Sequence, residues 1–298
     1  MKYAIVDLGS NTIRLSVYQT QEDGRFRLLF SEKETAGLAN YISGGRMRPE
    51  GIVRAGEVLM DFKRLLMQFA MEELHVFATA SLRNIRNTEE AVQTIHEQTG
   101  LYVDVISGAE EAELSYYGAA NAANLSDGVL FDIGGGSTEL VNFSGGIIQE
   151  SHSLEIGCLN LFRKNVEKLW PQKAEMRKIV HQVHRALSSA QMPSQTHCVC
   201  GVGGTARALL NMANSRLGSE GRVLTADQLK AMTELLQRRS REARDLILAV
   251  CPDRVHTIIP GAILMMTLVE RLGCQKIWIS PYGVREGYLC RKLQRNMI

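Results

Sequence analysis

Asp7-Leu8-Gly9-Ser10-Asn11-Thr12-Ile13-Arg14-Leu15 recurs 125 positions later as Asp132-Ile133-Gly134-Gly135-Gly136-Ser137-Thr138-Glu139-Leu140. Each copy closes an apolar run, Tyr3-Ala4-Ile5-Val6 in the first case and Val129-Leu130-Phe131 in the second. The pattern reads as a strand ending on an Asp, a turn of small residues and a returning strand. Glycine in such a turn permits backbone conformations and close approaches that a side chain forbids. Successive N–H groups there can converge on one anion. Ser10, Asn11 and Thr12 add polar donors to the first turn, and Ser137 and Thr138 add hydroxyls to the second. One such run is ordinarily a tight turn without a ligand. Two matched turns are harder to explain by turn chemistry alone, and they predict two walls of a cleft that holds phosphate.

Side chains alternate faces along a strand. Thr12 and Arg14 therefore share one face, and Ser137 and Glu139 the matching one, while Ile13, Leu15 and Val17 line the core face. Arg14 and Glu139 are positional equivalents of opposite charge. The plain alternative is a pair of solvated strand residues. The functional reading gives Arg14 a phosphate contact and Glu139 a place beside Mg²⁺. Asp7 and Asp132 can each simply cap a turn. Both beside donor-rich loops, they suit a hard cation, which binds through one or two carboxylates plus waters and phosphate oxygens. Asp132 is preferred to Asp7 as the metal ligand.

In Ile106-Ser107-Gly108-Ala109-Glu110-Glu111-Ala112, Ser107 and Glu110 have capping-box spacing, which commits Glu110 to the backbone. Glu111 is not used by the cap and projects about 100° around the helix. It is the carboxylate left to act as general base on water, against the alternative of a surface Glu. Arg83 follows a strand at the end where α/β proteins bind anions; a surface Arg at a helix start is the competing reading. Gly201-Val202-Gly203-Gly204-Thr205 is a third glycine-rich strand-to-helix turn. It lacks the Lys of a Walker A loop, so Gly203 and Gly204 either face the ligand through a helix N-terminus or allow tight packing. Gly283-Val284-Arg285-Glu286-Gly287 follows the last strand.

The elements that must position these residues occur in two programs. Strands are expected at 3–7, 13–19 and 26–33. Pro49 opens a helix through about Met71. A strand at 74–80, a helix at 88–100, a strand at 101–106 and a helix from Ser107 follow. The second half repeats the start with strands at 129–132, 137–143 and 146–153. Helices at about 157–169 and 172–190, a strand at 196–200 and a helix at 203–214 come next. Thr225 and Gln228 form a capping box. A helix at about 255–272, a strand at 276–280 and a helix at 284–294 complete the chain. This predicts an α/β protein with domains 1–124 and 125–298, in which the last helix, about 284–298, can pack back on the first domain. The pattern fits a duplicated actin-like ATPase (ribonuclease H-like) fold, two domains flanking a cleft.

With 298 residues, 45% hydrophobic and 22% charged, the chain can bury two sizeable cores. Its net charge of +2 from 34 basic and 32 acidic side chains gives no general attraction to nucleic acid. No apolar run approaches membrane-spanning length, and four residues after Lys2 are too few for a signal-peptide core, so a cytoplasmic protein is expected. The six Cys read as buried thiols, and His181 and His184 as surface helix residues.

Six ordered motifs resemble those of the exopolyphosphatase/guanosine pentaphosphate phosphohydrolase family: Asp7 to Asn11, Ala78 to Arg83, Ile106 to Ala112, Asp132 to Glu139, Gly201 to Thr205 and Gly283 to Gly287. The resemblance spans almost the whole chain. It implies the actin-like ATPase fold and Mg²⁺-dependent removal of terminal phosphate from polyphosphate or pppGpp. It also implies Glu111 as the catalytic carboxylate, Asp132, Gly134 to Ser137 and Glu139 as metal and phosphate positions, and Arg83 as a phosphate-binding arginine. Two departures stand out. The chain ends soon after Gly287 without a His-Asp dipeptide, so the HD-like domain of longer members is expected to be absent, favouring short polyphosphate or pppGpp. Position 113 is Glu where the family's helix often has Arg.

The resulting expectation is a phosphoanhydride hydrolase, with polyphosphate or guanosine penta- or tetraphosphate as ligand, no nucleic-acid or membrane partner, and a homodimer left open. Its rivals are an ATP-dependent kinase or ATPase of the same fold and a non-catalytic polyphosphate- or (p)ppGpp-binding regulator.

Overall fold

Alternation of large apolar residues with small or polar ones lays down three antiparallel strands at the start: β1 (Lys2–Leu8), β2 (Ile13–Thr20) and β3 (Phe26–Glu34). A short pair, β4 (Ile42–Ser43) and β5 (Arg46–Met47), leads into α1 (Pro49–Leu66). Then come β6 (Glu73–Ala78), the single turn α2 (Ala80–Arg83), α3 (Thr88–Thr99), β7 (Val103–Val105) and α4 (Gly108–Ala122). In this computed structural model the described residues are 1–21, 25–190, 196, 198–218 and 220–295.

Pro49 starts α1, where its missing N–H costs no helical bond. Ile52, Ala55, Leu59, Phe62 and Leu66, three and four apart, are buried. Burying each large side chain contributes about 1.5–3 kcal/mol. The helix ends at Leu66, earlier than the expected Met71. Phe69 would have continued the stripe, but its ring instead packs on Phe30 of β3 at 5.2 Å, and Met67 is left in solvent.

The second half repeats the opening as β8 (Gly128–Ile133), β9 (Thr138–Ser144) and β10 (Ile147–Leu154), followed by α5 (Cys158–Asn165) and α6 (Lys173–Leu187). The remaining elements are β11 (Val199–Val202), α7 (Gly203–Leu217), β12 (Val223–Thr225), α8 (Ala226–Gln237), α9 (Arg241–Val250), α10 (Ile258–Leu272), β13 (Lys276–Ile279) and α11 (Val284–Arg295). α5 stops four residues short of expectation: Val166 is extended, and Trp170 turns to donate its indole N–H to the Val255 carbonyl at 2.8 Å. The strand expected at 196–200 includes His197, and the last helix was expected to run over 296–298; those positions lie outside the described residues. β12 and α9 are too short and too mixed in pattern to be read from sequence. β12 is fixed by antiparallel pairing with β13, and α9 by the Ser240 hydroxyl accepting the Ala243 N–H at 3.2 Å.

Two compact units result: Met1–Glu111 with Tyr288–Ile298, and Ala112–Gly287. The first holds the sheet β3-β2-β1-β6-β7 and the second β10-β9-β8-β11-β13-β12. In each, three antiparallel strands are extended by two parallel ones, β6 and β7 beside β1, and β11 and β13 beside β8. The first core packs α1 and α3 on the sheet through residues such as Leu15, Leu59, Val76 and Ile95. The second is built round α10, whose Ile258 to Val269 stretch is almost wholly buried. Among the described residues no helix is long and apolar enough to cross a membrane. The two expected surface histidines, His181 and His184, are exposed; of the six thiols expected to be buried, Cys158, Cys200, Cys251 and Cys274 are, whereas Cys198 is exposed and Cys290 only partly covered.

Candidate active site

Adjacent strands bring three turns to one edge of the first sheet: those after β1, β6 and β7. After β1, the Gly9 N–H bonds the Thr12 carbonyl at 3.1 Å. A Cβ on Gly9 would lie 2.8 Å from that oxygen, so the turn requires glycine. The carbonyls of Ser10 and Asn11 are held by the N–H groups of Ala39 (2.9 Å) and Gly37 (2.8 Å), in the segment after β3. Gly37 has φ +61°, a conformation few other residues adopt readily. Among the described residues no acceptor meets the N–H groups of Ser10 and Asn11.

The turn after β6 is tied to the first by the Ser81 hydroxyl, which donates to the Leu8 carbonyl. It carries Arg83, whose guanidinium donates to Glu111 Oε2 at 2.7 Å and to the Ile106 carbonyl at 3.2 Å. Both side chains are largely buried, 17% and 11% exposed. The Ser107/Glu110 capping box is formed: the Ser107 N–H donates to Glu110 at 2.9 Å, and the Glu110 N–H to the Ser107 hydroxyl at 3.1 Å. The backbone N–H holds the Glu110 carboxyl below the usual carboxylate range, helped by Arg291 at 3.2 Å. Glu111, one position on, turns instead to Arg83.

The second unit builds the same turn after β8. The Gly134 N–H bonds the Ser137 carbonyl at 3.0 Å. The Gly134 carbonyl accepts the Cys158 N–H (3.0 Å), and that of Gly135 accepts Leu159 (3.0 Å) and Asn160 (3.1 Å). The Asn160 side-chain amide holds the Gly136 carbonyl at 2.7 Å. These donors are the N-terminus of α5. Gly157 lets it approach, since a Cβ there would sit 2.4 Å from the Gly135 oxygen. Again no acceptor among the described residues meets the Gly135 and Gly136 N–H groups. In both units the chain after the third strand pulls the turn's carbonyls one way, which aims its N–H groups the other.

Asp132 and Glu139 are cross-strand partners, as are Asp7 and Arg14. Asp132 is buried. Its Oδ2 accepts the Ser115 hydroxyl at 2.6 Å, and its Oδ1 lies where a Cβ on Gly203 would be 2.6 Å away. Burial raises its carboxyl above the ordinary range, against the attraction of Arg207 and Arg285. Burial likewise brings Arg207 down to about 10, with repulsion from Arg285 adding to it. Glu139, also buried, accepts the Ser153 hydroxyl at 2.8 Å. Gly283 donates to Glu286 at 2.8 Å. The Thr138 hydroxyl is spent on the Ile156 carbonyl at 2.5 Å, and Ser137 is buried beside it. The guanidinium of Arg254 lies on Gly204, 1.8 Å from where a Cβ would be.

No group of three or more His, Cys, Asp and Glu side chains among the described residues has metal-site geometry. Partner residues across a hairpin have Cα atoms about 4.5–5.5 Å apart, so Asp132 and Glu139 place two carboxylates side by side. That donor set fits Mg²⁺, which takes its remaining ligands from water and phosphate. Asp7 has a cation as its partner, so its hairpin does not offer this pair. Thus Gly9 to Thr12, Arg14, Asp7, Arg83 and Glu111 belong to the edge of the first sheet. Asp132, Gly134 to Thr138, Glu139, Gly203 and Gly204 belong to that of the second. Sequence reasoning missed Ser115, Arg207 and Arg254. Ser115 is four residues after Glu111, and Arg207 four after Gly203, so helical spacing could have found both. Arg254 carries no sequence signal.

A family model described as the Ppx/GppA phosphatase family matches residues 16–296. The chain is 26% identical over 310 aligned positions to Exopolyphosphatase 1 of Mycobacterium tuberculosis, covering 98% of this chain and 88% of that one. It superposes on the Aquifex aeolicus Ppx/GppA family member with TM-score 0.83 at 26% identity, covering 99% and 98%. An exopolyphosphatase from Cytophaga hutchinsonii gives TM-score 0.88 at 23% identity over 99% and 98%, a likeness of fold.

Proposed function

The chain belongs to the Ppx/GppA phosphatase family, and from that premise we propose that it hydrolyses the terminal phosphoanhydride of inorganic polyphosphate, of pppGpp, or of both. The matching strand orders of the two sheets support reading the fold as a duplicated actin-like ATPase. The observation that carries the functional reading is the fate of the two neighbouring carboxylates. Glu110 is consumed by the helix cap, while Glu111 is turned to Arg83 at the sheet edge that carries the Gly9–Thr12 turn.

Phosphoryl transfer needs positioning and charge neutralisation more than covalent chemistry. Glu111 takes a proton from water as the water oxygen bonds to the terminal phosphorus; the bridging P–O bond breaks, and its electron pair leaves with the shortened chain. Arg83 orients the Glu111 carboxylate and offers its remaining N–H groups to phosphoryl oxygens. The outward N–H groups of Ser10, Asn11, Gly135 and Gly136 bind phosphate as fixed dipoles that need no reorganisation. Arg14 adds a cation to the first turn. Mg²⁺, when bound, neutralises charge on phosphate oxygens. Asp132 and Glu139 are the side chains that would hold it.

The kinase or ATPase reading needs a nucleoside pocket at Gly203 and Gly204. There, Arg254 covers Gly204 and Asp132 abuts Gly203, so both glycines are required by packing within the protein. Phosphate release from tripolyphosphate, long polyphosphate, pppGpp and ATP, by wild type and Glu111→Gln, tests the reading. Release from the first three that collapses in the variant supports it. Release indifferent to the substitution overturns the mechanism, binding without release makes the protein a regulator, and activity requiring ATP and an acceptor makes it a kinase.

A further inference from the structure

α6 buries Met176, Ile179, Val183 and Leu187 and leaves its opposite face in solvent. On that face Arg177, His181 and Arg185 stand four residues apart, with Lys178 beside them. They line an open groove of about 950 Å³, which Glu155 and Gln182 also border. The floor is cross-braced, since Asn165 of α5 donates to Gln182 at 2.9 Å.

This stripe is not what helix stability asks for. Surface cations on a helix are ordinarily interleaved with acids three or four residues away. Here the helix has one acid, Glu175, whose carboxylate is used by the N–H groups of Gln172 and Glu167. Glu175 acts on Lys178 only through space. Among the described residues Arg177 and Arg185 have no ion-pair or hydrogen-bond partner. The whole chain balances 34 basic against 32 acidic side chains, so the excess is local. Arg177 and Arg185 stand two helical turns, about 12 Å, apart, with Lys178 beside the first and the His181 imidazole between them, a spacing that suits a ligand with a charge on every unit. Among the described residues no Phe, Tyr or Trp lines the groove, so it lacks the large stacking platforms that single-stranded nucleic acid uses. Its border residue Glu155 is two positions before Gly157, which packs on the Gly135–Gly136 turn.

We propose that the α6 groove is a second binding site for linear polyphosphate, engaging units of the chain remote from the one being cleaved. The proposal rests on polyphosphate being a ligand of this protein, as argued above. It makes α6 a determinant of chain-length preference: long chains reach the groove, and tripolyphosphate does not.

The test is Arg177→Glu/Arg185→Glu, with Arg177→Lys/Arg185→Lys as the charge-preserving control. Both sites are exposed, and unchanged thermal melting verifies the fold. For the double Glu variant the KM for long-chain polyphosphate is expected to rise about tenfold at low salt. The kcat stays, and the tripolyphosphate KM is unmoved. The slope of log affinity against log salt should fall by about 0.7 for each phosphate that the groove no longer neutralises, and the Lys control should behave as wild type. An unchanged long-chain KM, or an equal rise for tripolyphosphate, overturns the proposal. Binding of fluorescently labelled long polyphosphate separates this from failure of the hydrolase reading. If wild type releases no phosphate but binds the chain, and the Glu variant loses that binding, the groove stands and the activity falls. If single-stranded RNA of equal charge binds wild type more tightly than polyphosphate and is the ligand the variant loses, the polyphosphate assignment is overturned.

Discussion

At the end of β1, Asp7 faces Arg14 across the ladder; at the end of β8, Asp132 faces Glu139. The turns that follow are alike to within a tenth of an ångström in their closing bond, Gly9 to Thr12 at 3.1 Å and Gly134 to Ser137 at 3.0 Å. What pulls their carbonyls aside differs in chemistry, a loop at Gly37–Ala39 in one and a helix N-terminus at Gly157–Asn160 in the other. The backbone device is thus repeated, and the side chains beside it diverge. Burial disfavours the charge of Asp132, and the second unit offsets this with the Ser115 hydroxyl and with Arg207 and Arg285, while Glu139 accepts the Ser153 hydroxyl. The likeness reaches the third turn of each sheet edge. The Ser107 N–H meets Glu110, and the Gly283 N–H meets Glu286 three residues on. One step further the units part: Glu111 in the first corresponds to Gly287 in the second. A Cβ on Gly287 would lie 1.9 Å from the Leu114 carbonyl, so packing excludes any side chain there.

That contrast predicts the largest effect. If both turns only bind, turnover depends on the one carboxylate without a counterpart. Glu111→Gln should lower phosphate release by about 10²–10⁴-fold, with substrate binding retained in equilibrium titrations. Turnover close to wild type would mean that the asymmetry has no catalytic meaning.

The next effect tests the shared backbone. Gly157→Ala places a methyl 2.4 Å from the Gly135 oxygen, and Gly37→Ala forces a side chain into φ +61°. Each should cost about 1–3 kcal/mol of stability and weaken phosphate binding by loosening one turn. Urea unfolding and inhibition by inorganic phosphate measure the two consequences. Loss of phosphate affinity in only one variant would show that the turns are alike in shape alone.

Charge comes third. Glu139→Gln should move the Mg²⁺ titration of activity to higher concentration. Arg14→Gln should raise KM and leave the Mg²⁺ midpoint in place. Because burial raises the Asp132 carboxyl, the wild-type Mg²⁺ midpoint should begin to climb on acidification at a higher pH than an ordinary Asp would give. A Mg²⁺ midpoint equally sensitive to both substitutions would erase the division of labour.

Much of this was legible because it rests on local spacing. The repeat, the Ser107/Glu110 cap and the burial of Ile13, Leu15 and Val17 follow from patterns a few residues long, and the structure has them. The carbonyl clamps were not legible. Gly157 is glycine because of Gly135, and Gly204 because of Arg254, and those partners come from other elements. Met67 and Phe69 show the same limit: helical periodicity ran on, and a tertiary contact with Phe30 ended the helix. Thr138 looked like a donor, yet β9 turns its hydroxyl onto Ile156, which only the position of the chain after β10 decides.

The smallest effect separates the neighbouring carboxylates. Glu110 is lowered by its cap, so it favours the fold when ionised. That contribution is complete above its unfolded value of about 4.3 and is lost as pH falls through the lower folded value. Gln at 110 can still accept the Ser107 N–H, so Glu110→Gln removes the charge and keeps the cap. The melting temperature of wild type should exceed that of the variant at neutral pH, and the gap should close as pH drops below about 4.3. A gap constant with pH would mean that the Glu110 charge does not hold this turn. The turn would then owe its shape to hydrogen bonding alone, as its counterpart at Gly283 could with Gln at 286. Its neighbour Glu111, bonded to Arg83 and outside the cap, should instead move turnover.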